Sequence, residues 1–128
     1  MKYNDFEELK KELLFKKIVK WEADKLTLDN GDILEICCAE QECCAYAGGE
    51  FKNVVLDAAI TNIELGKIRE NKEEDNYDYE ENYVTVTIFH NLNPIALADC
   101  SANSGNGGYY YSVAAFELNN IFYKIVEA

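Results

Sequence analysis

Residues 83–89 read YVTVTIF, and their strict alternation puts Val84, Val86 and Ile88 on one face of a half-buried β-strand. Working outward, residues 91–94 (NLNP) predict a turn and residues 95–99 the start of the next strand. Upstream, residues 69–82 (RENKEEDNYDYEEN) are dense in charge and poor in apolar residues, which predicts a mobile acidic loop. Before it, NVVLDAAITNIELGKI has strand character, most clearly over residues 59–68. The stretch LTLDNGDILEI, residues 26–36, flanks Asn30-Gly31 with alternating leucines and isoleucines and predicts a hairpin. Strands are expected at about 17–22, 25–29 and 32–38. Asn4 or Asp5 can cap a short amphipathic helix in which Phe6, Leu9, Leu13 and Leu14 fall at helical spacing. The expected fold is therefore α+β: a mainly antiparallel, twisted sheet or small sandwich with an N-terminal helix, in a single domain over residues 1–128.

Composition narrows the function classes. The chain carries 24 acidic residues against 12 lysines and arginines, a formal charge of −12. Such a surface repels nucleic-acid backbones and anionic membranes, because affinity for polyanions comes from basic side chains displacing counterions. No apolar run approaches the roughly 20 residues needed to cross a bilayer, and the N-terminus lacks the apolar segment of a signal peptide. A soluble, cytoplasmic protein with no nucleic-acid or membrane partner is expected. Five cysteines without an export signal predict reduced thiols.

Catalytic signatures are sparse. There is no phosphate-binding P-loop, dinucleotide fingerprint, HExxH or EF-hand pattern. The one histidine, His90, has no nucleophile fixed beside it by any motif, and Asp57, Glu64 and Asp99 are three carboxylates among many. Neither an enzyme nor a cofactor is expected. Cys37, Cys38, Cys43 and Cys44 place four thiols within eight residues, yet adjacent cysteines on a strand point to opposite faces and do not match Cys-x2-Cys zinc spacing. They read first as buried structural thiols and only then as a metal or redox cluster. Across the stretch from Cys37 to Phe51, the alanines with Glu40, Gln41 and Glu42 allow a short helical turn, which Gly48-Gly49 would end.

Residues 100–112, CSANSGNGGYYYS, have the composition of a binding loop. Glycines free the backbone to offer N–H groups, asparagines supply donors and acceptors, and tyrosines supply flat faces with a polar tip. If Tyr109, Tyr110 and Tyr111 open a strand running to Leu118, Tyr109 and Tyr111 share a face and Tyr110 takes the other. Asn103, Asn106 and the amides of Gly105, Gly107 and Gly108 would then hold hydroxyl or phosphate oxygens. Residues 121–126 close the chain as a strand or a short helix.

In this order, the LTLDNGDILEI hairpin, the cysteine-rich turn and the SGNGGYYY loop resemble small phage-encoded domains related to the anti-Thoeris nucleotide-sponge proteins. The resemblance implies an α+β homo-oligomer that binds a signalling nucleotide, a glycocyclic ADP-ribose isomer or a cyclic oligonucleotide, without turning it over. It implies ligand contacts at Asn103, Asn106, Gly107, Gly108, Tyr109 and Tyr110, with Phe89 as a stacking residue. Sponge pockets hold phosphates with arginines, whereas this chain has only Arg69. The alternative expectation is an acidic inhibitor that docks on a basic host protein such as a CRISPR nuclease, attracted by the −12 charge.

Overall fold

A computed structural model describes residues 1–71 and 79–128; half of the expected acidic loop, residues 72–78, falls outside the described residues, and its two ends, residues 69–70 and 81–82, lie in paired strands rather than in a loop. Helix α1 spans Phe6–Leu13, and it is Asp5 that caps it, accepting from the Glu8 amide at 3.0 Å. Leu9 and Leu13, one turn apart on one face, are fully buried.

Ten strands follow among the described residues: β1 Ile18–Glu22, β2 Lys25–Leu28, β3 Ile33–Gln41, β4 Ala47–Lys52, β5 Asn62–Leu65, β6 Arg69–Glu70, β7 Glu81–His90, β8 Asn93–Asn103, β9 Ser112–Leu118 and β10 Ile121–Glu127. They form two antiparallel sheets, ordered β1-β2-β3-β9-β10 and β4-β8-β7-β5, with β6 pairing β7. The β2–β3 turn falls at Asn30-Gly31, where the Asn30 side chain accepts from the Asp32 amide at 3.1 Å.

The inner faces share one core. Val84, Val86 and Ile88 of β7 are fully buried, as the alternation requires, and Phe51 of β4 stacks on Phe116 of β9 with centroids 6.1 Å apart. Phe6 of α1 reaches the same ring at 6.0 Å, and the helix packs on β5. Burying a side chain such as Phe116 is worth about 1.5–3 kcal/mol, so this three-ring contact ties both sheets and the helix together. Main-chain bonds close one seam between the sheets: the Phe51 amide donates to Ala23 O at 2.7 Å and the Asp57 amide to Ile18 O at 2.8 Å.

Several local expectations are corrected. Residues 39–41 form no helical turn; β3 continues to Gln41 along β9, and a bulge between Cys38 and Glu40 absorbs the break in alternation. Gly48 and Gly49 lie inside β4 rather than ending an element. The strand after the glycine loop starts at Ser112, so Tyr109, Tyr110 and Tyr111 precede it and share no pleat. Of the 59–68 segment, only Asn62–Leu65 pairs as β5, while the closing segment is the strand β10.

Candidate functional site

At one end of the two sheets, the β3–β4 turn (residues 42–46) meets the β8–β9 loop (residues 104–111). Asn103 joins them. Its Oδ1 accepts from the Tyr46 amide at 3.0 Å and from the Gly105 amide at 3.1 Å, while its own amide donates to Tyr46 O at 3.0 Å. Beneath it, the hydroxyl of Ser112, fully buried, lies 2.7 Å from Asn103 O and 3.1 Å from Tyr46 O. Two more bonds cross the gap: the Glu42 amide donates to Tyr111 O at 2.9 Å, and the Asn106 amide to Cys44 Sγ at 3.1 Å.

The loop itself is a tight turn. Gly105, Gly107 and Gly108 all have positive φ, and a single 3-10 turn covers Asn106–Gly108. Gly105, at φ +71, has no space for a side chain: a Cβ there would stand 2.8 Å from the Ala45 nitrogen and 3.0 Å from Cys44 Sγ. A Cβ on Gly107 would lie 2.7 Å from the Tyr109 ring, so that ring rests directly across the turn.

These contacts redistribute the roles expected from the sequence. Asn103 is a structural tie between the loops, with both acceptor positions of Oδ1 in use. The Gly105 and Gly108 amides are also spent, on Asn103 Oδ1 and on Gly105 O, so the expected nest of free amides does not form at those two positions. Tyr109 is 80% exposed and Asn106 is exposed. Tyr110 is half-buried, and the neighbouring Cys43 thiol raises the pKa of its hydroxyl. Tyr111 turns the other way, towards Glu127 Oε2 at 3.2 Å and Glu40 Oε2 at 3.5 Å. Burial and these two carboxylates push its hydroxyl up to about 12. Tyr3 also donates to Glu40, so the N-terminal segment is pinned beside the loop base.

Phe89 does not join the group. It sits at the far end of β7, eight residues from Glu81, which pairs with Asn103; at about 3.3 Å per residue the separation is about 26 Å. His90 is held there too, with Nδ1 2.7 Å from Ala59 O. Asp99 of β8 is engaged by Lys52 at 2.9 Å and by the Thr85 hydroxyl at 2.8 Å, an outer-face cluster rather than a pocket with Glu64 of β5 or Asp57.

The cysteines divide three ways. Cys100 is buried, Cys37 and Cys38 are half-buried on β3, and Cys43 and Cys44 are exposed, which corrects the reading of all four clustered thiols as buried structural ones. Among the described residues no group of three or more His, Cys, Asp or Glu side chains is arranged to hold a metal ion.

Sequence reasoning missed Tyr46. Its ring is 59% exposed and lies over Gly48, whose ideal Cβ would be 3.1 Å from the Tyr46 hydroxyl. The available signal was an aromatic residue placed just before a glycine pair. The apex thus presents two exposed rings, Tyr46 and Tyr109, on two loops laced together by main-chain bonds. It carries no lysine or arginine over residues 42–46 and 104–111, and Arg69 donates instead to Thr85 Oγ1 at 3.2 Å.

The chain belongs to a family described as a domain of unknown function, DUF7448, which matches residues 11–116. Neither the curated proteins nor the solved structures give a match.

Proposed function

We propose that this is a non-catalytic binding protein of the host bacterial cytoplasm that sequesters a small signalling nucleotide at its apex, as a phage-type counter-defence sponge. The observation that carries the reading is the Tyr109 ring, 80% exposed yet seated across Gly107 in a turn whose geometry is fixed by contacts to Cys44 and Asn103. A solvent-facing aromatic ring on a rigid turn costs little entropy to use as a stacking surface for a base. Tyr46 offers a second face, and Asn106 a side-chain amide for base or ribose edges. The resemblance to nucleotide-sponge proteins supports a glycocyclic ADP-ribose or cyclic oligonucleotide ligand and a homo-oligomer, in which a second copy would complete the pocket.

Charge makes the reading testable. A nucleotide is anionic, the protein carries −12, and the apex holds no lysine or arginine, so the long-range term opposes association. Added salt screens that repulsion, with a Debye length of about 10 Å at 0.1 M. Native mass spectrometry and calorimetry with these nucleotides should therefore detect an unmodified adduct whose affinity rises with ionic strength. Tyr109→Ala should weaken it by about 5- to 150-fold, the equivalent of roughly 1–3 kcal/mol for one stacked base. Unchanged uptake by that variant would remove the apex from the reading.

The −12 charge also favours a second reading, an acidic inhibitor that binds a basic host protein. Its salt dependence has the opposite sign. Association would weaken as salt rises, and neutralising Glu73, Glu74, Asp75 and Asp78 would abolish it without weakening nucleotide uptake.

A further inference from the structure

The seam between the two sheets holds apolar side chains in solvent on a rigid main chain. Residues 51–61 run antiparallel beside residues 15–23: Ala23 O accepts the Phe51 amide at 2.7 Å, Ile18 O the Asp57 amide at 2.8 Å and Lys16 O the Ile60 amide at 2.8 Å. The same segment is tied on its other side to the β7–β8 hairpin, with the Val55 amide donating to Ile95 O and the Thr61 amide to Phe89 O, both at 2.8 Å. Six side chains on these three stretches, Phe15, Val19, Trp21, Val55, Leu56 and Leu92, are 42–92% exposed. Together they present on the order of 600 Å² of apolar surface, the upper end of what a monomer shows and most of the ~800 Å² that each partner covers in a standard interface. Because hydrogen bonds on both sides already order the segment, little entropy is lost in covering it.

Charge says what fits there. Residues 15–24, 51–61 and 89–95 carry four lysines, Lys16, Lys17, Lys20 and Lys52, against three acids, Glu22, Asp24 and Asp57. Of the 12 basic and 24 acidic residues, that leaves eight and 21 for the rest of the chain, so a seam of about neutral charge is set in a surface of −13. A basic partner is drawn to the acidic surface elsewhere, and an acidic partner is repelled by it. Two copies of this chain repel each other on every other face, and only the seam lets them meet without opposing acid to acid. In a two-fold contact each patch faces itself, which requires both signs of charge around one apolar centre, and the seam has both.

We propose that the seam is the face through which two copies of this chain dimerise, in a two-fold contact with Trp21 as its aromatic anchor. Tryptophan is the residue type most enriched among the side chains that carry interface energy, and here it stands on β1, the end strand of its sheet. Phe89, which Thr61 ties to the seam, lies about 26 Å along β7 from the level of Asn103. A copy docked on the seam therefore stays clear of Tyr46 and Tyr109 and leaves the apex open to a ligand or to a further copy. This gives the homo-oligomer of the proposed function a face, and to that extent rests on it, but it needs no nucleotide.

The test is sedimentation of the full chain without ligand, from about 0.1 to 100 μM, alongside its fluorescence. The parent should pass from 14.6 kDa to twice that mass, and the emission of Trp21, the only tryptophan, should move to shorter wavelength over the same range as its ring leaves water. Leu56→Asp and Leu92→Asp should each raise the dimer Kd by about 100-fold or more, because the two-fold repeats every substitution. Leu92 is 92% exposed, so its replacement leaves the fold intact. Ile33→Asp adds the same charge at an exposed apolar position outside the seam and should leave the Kd within about threefold, the reach of a rim charge. A monomer at every concentration overturns the proposal and leaves the seam to a foreign partner. A dimer indifferent to both seam substitutions, or one whose dissociation leaves Trp21 emission unchanged, overturns it too and moves the homo-oligomer to another face. Nucleotide uptake by Leu92→Asp is read separately, so either reading can fail while the other stands.

Discussion

Replacing Asn103 by alanine separates a structural tie from a ligand contact. The substitution removes one oxygen that accepts two amides, those of Tyr46 and Gly105. Tyr46 is exposed, so water can satisfy its amide, but Gly105 is buried and its N–H would be orphaned. An unsatisfied buried donor costs about 1–3 kcal/mol, so Asn103→Ala should lose about 2 kcal/mol. For a chain of this length that is about 8 °C in Tm. Urea unfolding should show a lower midpoint at unchanged slope, because the surface exposed on unfolding stays the same. Asn103→Asp keeps both acceptors and should stay within about 0.5 kcal/mol of the parent. If Asn103→Ala unfolds at the parent midpoint, the two loops are not held by this side chain and the rigid apex loses its main support.

Gly105→Ala should cost about 2–4 kcal/mol, since φ +71 disfavours any L-residue and the new Cβ would meet the Ala45 nitrogen at 2.8 Å; thermal unfolding reads this directly. On the acid side, Lys52 and Thr85 hold Asp99 below its ordinary pKa, and Asn30, Asn119 and Lys16 do the same for Asp32. Their contribution is present above the unfolded pKa of about 4 and is lost as pH falls through the folded value, so Asp99→Asn should flatten the acid limb of a urea-midpoint profile. On the alkaline side, burial raises Cys100 to about 12, so its contribution is complete below about pH 9 and declines as pH rises towards 12; Cys100→Ala should shrink that decline.

The parts of the fold that could be read were those fixed by neighbours in sequence. Alternation in β7, the Asn30-Gly31 turn and the Asp5 cap each depend on a few adjacent residues, and each appears where its pattern puts it. The end of β3 is different. Alanine and glutamate at 39 and 40 prefer helix, but Cys37 pairs with Ala115 and Glu40 with Val113, and that ladder overrides the local preference. The partner strand lies more than seventy residues away, so nothing near position 40 announces it. Gly48 and Gly49 mislead for the same reason, because pairing with Ser101 and Cys100 supplies the order that their own flexibility withholds.

The apex was legible as a place and less so as a mechanism. Glycine, asparagine and tyrosine in one run mark a turn that exposes polar groups and rings, but composition does not say which of those groups face each other. Asn103 and Gly105 look like ligand-binding residues by type, and a hydrogen bond between them takes the Asn103 Oδ1 and the Gly105 amide out of circulation. What turned their chemistry inward was the second loop, whose Tyr46 and Cys44 arrive from 57 and 62 residues away to pair with Asn103 and Asn106. The same pairing that consumes the expected polar contacts is what makes Tyr109 a fixed ring on a rigid support. A loop with free amides would offer more hydrogen bonds to a nucleotide, yet it would have to be ordered on binding at a cost of about 1–2 kcal/mol for each residue fixed. With the bonds from Asn103, Glu42 and Asn106 across the two loops already formed, that cost is met during folding, and under the proposed function stacking would be the interaction by which this apex discriminates ligands.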